Sequence, residues 1–136
     1  MLRVSDDTAI VGLADLLAGV NPVRRPGEFI FITVDDVSSL PVSTQATVWE
    51  DGRLSCVIEH HGATSTGDRA DPVMAWITLQ VHSSLVAVGL TAAVSTALTE
   101  RNIACNVIAG HRHDHILVPS ERADEAMAAI TALAQR

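Results

Sequence analysis

The feature that most restricts the fold is an alternating run, Met74 to Val81, that passes directly into a helical pattern. Ile77, Leu79 and Val81 alternate with Trp76, Thr78 and Gln80, the two-residue period of a β-strand. His82-Ser83-Ser84 then leads into Val86, Leu90, Val94, Ala97 and Leu98 at helical spacing, with Ser83 or Ser84 as the expected N-cap and Asn102 as a left-handed terminator. Residues 103–109 and 114–118 read as two strands joined near His111-Arg112. Pro119-Ser120 opens a last helix whose inward stripe is Ala123, Ala126, Met127, Ile130 and Leu133. Strand, helix, strand, strand, helix is a ferredoxin-like βαββαβ unit short of one strand, an α+β fold with helices on one face of the sheet. The first half can donate the missing strand or hold a degenerate copy of the same unit.

That half is less regular. Residues 6–18 predict a helix through Ala9, Leu13, Leu16, Leu17 and Val20, stopped by Gly19 and Asn21-Pro22. Glu28–Val34 is apolar on both alternating faces and reads as a strand covered on two sides. Residues 45–50 and 53–59 form a hairpin around Asp51-Gly52, where a two-residue turn needs positive φ. The polar, turn-rich stretch His60–Pro72 is the best linker and divides the chain into 1–70 and 71–136. Strands apolar on both faces, Phe29–Val34 and Ile103–Ala109 above all, need a second sheet or subunit against them, and this predicts module pairing and a homodimer.

Composition narrows the function. Nine basic residues stand against 16 acidic ones for a formal charge of −7, and all nine are arginine. A polyanionic backbone or an anionic membrane surface needs the opposite balance, so neither nucleic acid nor membrane is an expected partner. Without lysine there is no Schiff-base chemistry and no Walker-type phosphate loop, and no G-x-G-x-x-G cofactor fingerprint occurs. Asp6 and Asp7 fall where a signal peptide would build its apolar stretch, and no run of about 18 apolar residues exists. Cys56 and Cys105 lack zinc-type spacing and read as small apolar residues of a reducing compartment. The expectation is a cytoplasmic protein without cofactor.

Three stretches carry a resemblance: Trp76-Ile-Thr-Leu-Gln-Val-His-Ser-Ser-Leu-Val-Ala-Val-Gly-Leu90, Asn106-Val-Ile-Ala-Gly110 and His113-Asp-His-Ile-Leu-Val-Pro119. They resemble a bacterial family of small tandem ACT-domain proteins, some known only as domains of unknown function. The first half fits more loosely, through Asn21-Pro22, Phe29–Val34 and Glu50-Asp-Gly-Arg-Leu54. The resemblance implies two ACT folds in one chain, similar to the regulatory tail of aspartate kinases, a degenerate one over 1–70 and a fuller one over 71–136. It also implies a non-catalytic protein that binds a free amino acid or similar carboxylate between paired folds. Val86 departs from the acidic residue of many relatives, and His111-Arg112 from a frequent aromatic pair, so ligand preference does not carry over.

The candidate site is the loop Val81–Gly89. A strand handing over to a helix presents unpaired N–H groups at the positive end of the helix dipole, which suits a carboxylate. Ser83 and Ser84 add hydroxyls, His82, Leu85 and Val88 flank them, and Gly89 permits close approach. Asn106, mid-strand among apolar residues, and Asp114 are the candidates for an ammonium group. The competing reading is that the serines only cap the helix and the cleft is filled by its own side chains, leaving an assembly module. His113 and His115, two apart, can chelate Zn²⁺ or Ni²⁺, but a full site needs three or four ligands and only His111, Asp114 and His82 are at hand. A hydrogen-bonded cluster of His113, Asp114 and His115 against the first-half sheet is the stronger expectation; His60-His61 reads as solvated. A Ser-His-Asp triad built from Ser83 or Ser84, His82 or a histidine of the 111–115 segment, and Asp114 has no G-x-S-x-G elbow behind it, so no catalytic residue is assigned.

Overall fold

The computed structural model describes residues 9–61 and 72–135. Among these, three helices and seven strands are formed: α1 Leu13–Ala18, β1 Pro22–Arg24, β2 Glu28–Val34, β3 Thr44–Glu50, β4 Arg53–His60, β5 Met74–Leu79, α2 Leu90–Thr99, β6 Asn106–Ala109, β7 Asp114–Pro119 and α3 Ala123–Ala132. The strands join in one antiparallel sheet of order β3-β4-β2-β5-β7-β6, with β1 also on β5. This is the α+β, ferredoxin-like arrangement expected. The strand missing from β5-α2-β6-β7-α3 is donated by the first half, Pro22, Val23 and Arg24 pairing with Leu79, Thr78 and Ile77.

β1 and β2 are two parts of one interrupted strand. Its first part lies on β5, and the Arg25 N–H still donates to the Trp76 carbonyl at 2.8 Å. Pro26 and Gly27, the latter at φ +87°, then redirect the chain so that β2 meets β5 only at Phe29–Met74 and runs its whole length along β4. Proline can donate no ladder bond and glycine takes positive φ without strain, which is why the strand breaks there.

Side-chain alternation along β5 separates two cores. Ala75, Ile77 and Leu79 face the helices and pack with Leu16, Val94, Leu98, Ile116, Val118 and Ile130 in the larger core. Met74 and Trp76 face the other way and meet Leu117, Phe29 and Val57. Residues from α1 and β1, before the 70/71 division, therefore belong to the same packed body as the second half.

Several local expectations change. The helix over 6–18 is helical only over Leu13–Ala18; residues 6–8 lie outside the described residues. Gly12 is extended (φ −70°, ψ 128°), and Ile10 is drawn into a parallel bridge with Ser83, its N–H donating to the His82 carbonyl at 2.8 Å. α2 begins at Leu90, with Gly89 rather than Ser83 or Ser84 as N-cap. Double-sided cover holds only in part: in β2 Phe29 and Ile30 are buried while Phe31 is exposed, and β6 is an edge strand with Asn106 and Val107 exposed. Most of the linker 60–72 lies outside the described residues. The Asp51-Gly52 hairpin forms with both φ values positive, 48° and 78°, and Asn102 ends α2 at φ 55°.

The strand-to-helix loop as candidate functional site

The loop between β5 and α2 is held from outside by the N-terminal segment. The Ser84 N–H donates to the Ile10 carbonyl at 2.9 Å, and Leu13 lies against Gly89. Within the loop, Ser84 closes a turn, its Oγ accepting from the Val86 N–H at 3.2 Å and its carbonyl from the Ala87 N–H at 3.0 Å. A serine oxygen taking over a local amide is the usual reason serine favours turns, and here it accounts for the late helix start. Gly89 then reaches φ 108° and no side chain caps α2, so the first amides of a ten-residue helix have no partner from a cap.

Ser83 Oγ donates to Asp114 Oδ2 at 3.4 Å, and both residues are half-buried. That is longer than an ordinary O–H···O bond, so both groups keep capacity for a third partner. Around them Leu85, Val86 and Val88 are 71, 78 and 82% exposed, and Val11 and Leu13 are exposed as well. His82 is half-buried and gives its carbonyl to Ile10. Thus His82, Ser83, Ser84, Leu85, Val88, Gly89 and Asp114 come together on one loop and the neighbouring end of β7.

Asn106 does not join them. It pairs with Leu117, whose side chain is in the smaller core, whereas Asp114 shares the helix-side face with Ile116. The two candidate ammonium acceptors therefore lie on opposite faces of the sheet. Nor is Asn106 buried, so it bears no desolvation cost and needs no partner.

The 113–115 cluster also separates. His115 turns to the smaller core, where its Nδ1 accepts from Trp76 Nε1 at 3.1 Å and lies 2.9 Å from Thr78 Oγ1. Its ring is tilted against the indole at 5.3 Å, and the Arg25 guanidinium covers the indole at 4.7 Å and Phe29 at 5.2 Å. Burial first, then the positive charges of His113 and Arg25, hold the His115 imidazole below its ordinary value, with Asp114 opposing them. Asp114 points to the other face. Among the described residues no three His, Cys, Asp or Glu side chains converge as metal ligands. His60, expected in solvent, is half-buried with its Nδ1 shielded, while His61 is exposed beside Glu59. Sequence reasoning misses the Arg25 stack and the abutment of residues 10–13 on the loop; neither has a local sequence signal, because both arise from pairings distant in the chain.

Residues 74–132 match the model of the ACT domain. A Vibrio cholerae protein of unknown function, described as a possible transport protein, is 40% identical over 86% of this chain and 92% of its own, with a TM-score of 0.74. The chain holds an ACT domain over residues 74–132 and belongs to the family of that Vibrio cholerae protein. The allosteric aspartate kinase of Clostridium acetobutylicum (14% identity, TM-score 0.57) and Escherichia coli aspartokinase III, solved with aspartate and ADP (15%, 0.59), share the fold over 82 and 85% of this chain; the match covers 33% of the length of each. No curated protein matches the chain.

Proposed function

We propose that this chain is a non-catalytic regulatory protein that binds a free amino acid or a similar small carboxylate at the β5–α2 loop. The observation carrying this reading is the Ser83–Asp114 pair on the loop that leads into the uncapped entrance of α2. The carboxylate of the guest takes the first α2 amides and the Ser83 hydroxyl, where the dipole and free N–H groups favour an anion. Its ammonium takes Asp114. Asn106, on the other face, is released from the role that its sequence position gave it.

Two ACT-like modules remain the best account of the domains. The fuller one is completed by β1 and α1; the degenerate one is β2-β3-β4, with the single 3₁₀ turn Val37–Ser39 between its first two strands. The exposed Leu85, Val86 and Val88 favour a homodimer closing over the loop, a single site between two copies. Such a protein signals by binding one conformation better than another.

Amide chemical-shift mapping with pools of the twenty amino acids tests the site. The expected outcome is movement of the Gly89–Ala92 amides with one pool, lost in Asp114→Asn. If every pool leaves these amides in place, the chain is the assembly module of the competing reading.

A further inference from the structure

We infer that the groove between the first-half sheet and β6 is a separate binding site, for a small organic cation with a short aliphatic body. The sheet curls until its two edge strands, β3 and β6, face each other across a cavity of about 390 Å³, within the range of small-molecule sites. It lies on the face away from the helices, because Phe31, Val57 and Ala46 are cross-strand partners on the side that packs on Trp76 and Leu117.

Polarity changes along the groove. One end is apolar, with Phe31 and Val57 facing Ile108. Toward the Asp51-Gly52 hairpin, Val48 pairs with Ser55 and then Glu50 closes the wall. Phe31 and Val48 are 38 and 59% exposed, so a guest's chain has apolar surface to cover.

Glu50 supplies the charge. Among the described residues it is the only acidic or basic side chain of the lining, and the Ser55 hydroxyl hydrogen-bonds its Oε1. Arg53, directly across the ladder, turns its Nε to Asp35 at 2.9 Å. An ammonium or guanidinium therefore meets a carboxylate at the hairpin end while an aliphatic chain lies along Val48, Val57 and Ile108. The opposite orientation, or an anionic guest, puts like charge or an apolar end against Glu50.

The test titrates n-hexylamine and, separately, hexanoate into the labelled full chain and follows its amide shifts. The amine is expected to move amides of β3, β4 and β6, to bind more tightly than hexanoate, and to lose about threefold to fivefold in affinity in the surface variant Glu50→Gln. Val48→Ser, also at an exposed position, weakens the amine without changing its preference over hexanoate. Equal affinity for the two probes, an amine response confined to Gly89–Ala92, an unaltered affinity in Glu50→Gln, or no response to the amine each overturns the inference.

Discussion

Leu13 fills the space beside Gly89: a β-carbon placed on Gly89 would stand 3.0 Å from Leu13 Cδ2. The contact locks α1 onto the entrance of α2 at the point where the chain needs φ 108° to begin the helix. Two costs therefore meet at one position, a backbone conformation L-residues avoid and a tight approach to the end of the Leu13 side chain, which must shift by a few tenths of an ångström. Gly89→Ala is expected to lose about 1–3 kcal/mol. In the background of Leu13→Ala the penalty shrinks but does not vanish, since the φ requirement stays. Urea unfolding of the four proteins of this cycle measures it.

The donation of β1 to β5 makes the second half dependent on the first. Leu16 and Val20 are fully buried in the larger core, and β1 covers the β5 edge. A fragment of residues 72–136 is therefore expected to lack a cooperative unfolding transition, having an open edge and a missing wall. A peptide of residues 9–27 added in trans should restore part of it. A cooperative melt of the fragment alone contradicts this.

His115 sets a direction for pH. Its Nδ1 is an acceptor for Trp76 Nε1–H, so a proton there opposes a donor, and burial with His113 and Arg25 lowers its affinity for that proton below the ordinary value of 6.5. Because the unfolded chain takes up the proton first, the contribution of this group is whole above about pH 6.5 and declines as pH falls toward and through the folded value. The urea midpoint is expected to drop between about pH 8 and pH 5. His115→Gln, which keeps an acceptor and removes the titration, should flatten that part of the profile.

Arg122 ties the end of α2 to the start of α3. Its Nη2 donates to the Arg101 carbonyl at 2.9 Å and to Glu125 Oε2 at 2.8 Å, and Nη1 reaches the Asn102 carbonyl at 3.3 Å. A planar fork with several donors makes these bonds together and an ammonium does not. Arg122→Met and Arg122→Lys are therefore both expected to cost about 1–2 kcal/mol, read from thermal melts.

Much of the second half is legible because its signals are local. β5 alternates, Asn102 marks the end of α2 and the α3 stripe has helical spacing, so each element declares itself within a dozen residues. The start of α2 misleads for a local reason too: Ser83 and Ser84 look like caps, but the Ser84 oxygen closes a turn of its own and the positive-φ residue is Gly89. Residues 9–12 mislead because a pairing with His82 and Ser84 overrides helix propensity there. The site is half legible. Ser83 and Asp114, both singled out by the sequence, meet through a hydrogen bond, whereas the face that Asn106 occupies is decided by the β6–β7 register alone, which the sequence does not declare. The groove beside Glu50 has no signature in the sequence, since it depends on the curl that brings β3 opposite β6.

The central claim is that an amino acid is held by the α2 entrance and Asp114. Its most direct measurement is a thermal-shift panel of the twenty amino acids on the native chain and on Asp114→Asn. At about 100 times its dissociation constant, an effector adds about 2.7 kcal/mol to stability, so the account predicts a clear rise in Tm with one or a few amino acids and its loss in Asp114→Asn. A flat panel, or a rise that Asp114→Asn leaves untouched, contradicts it.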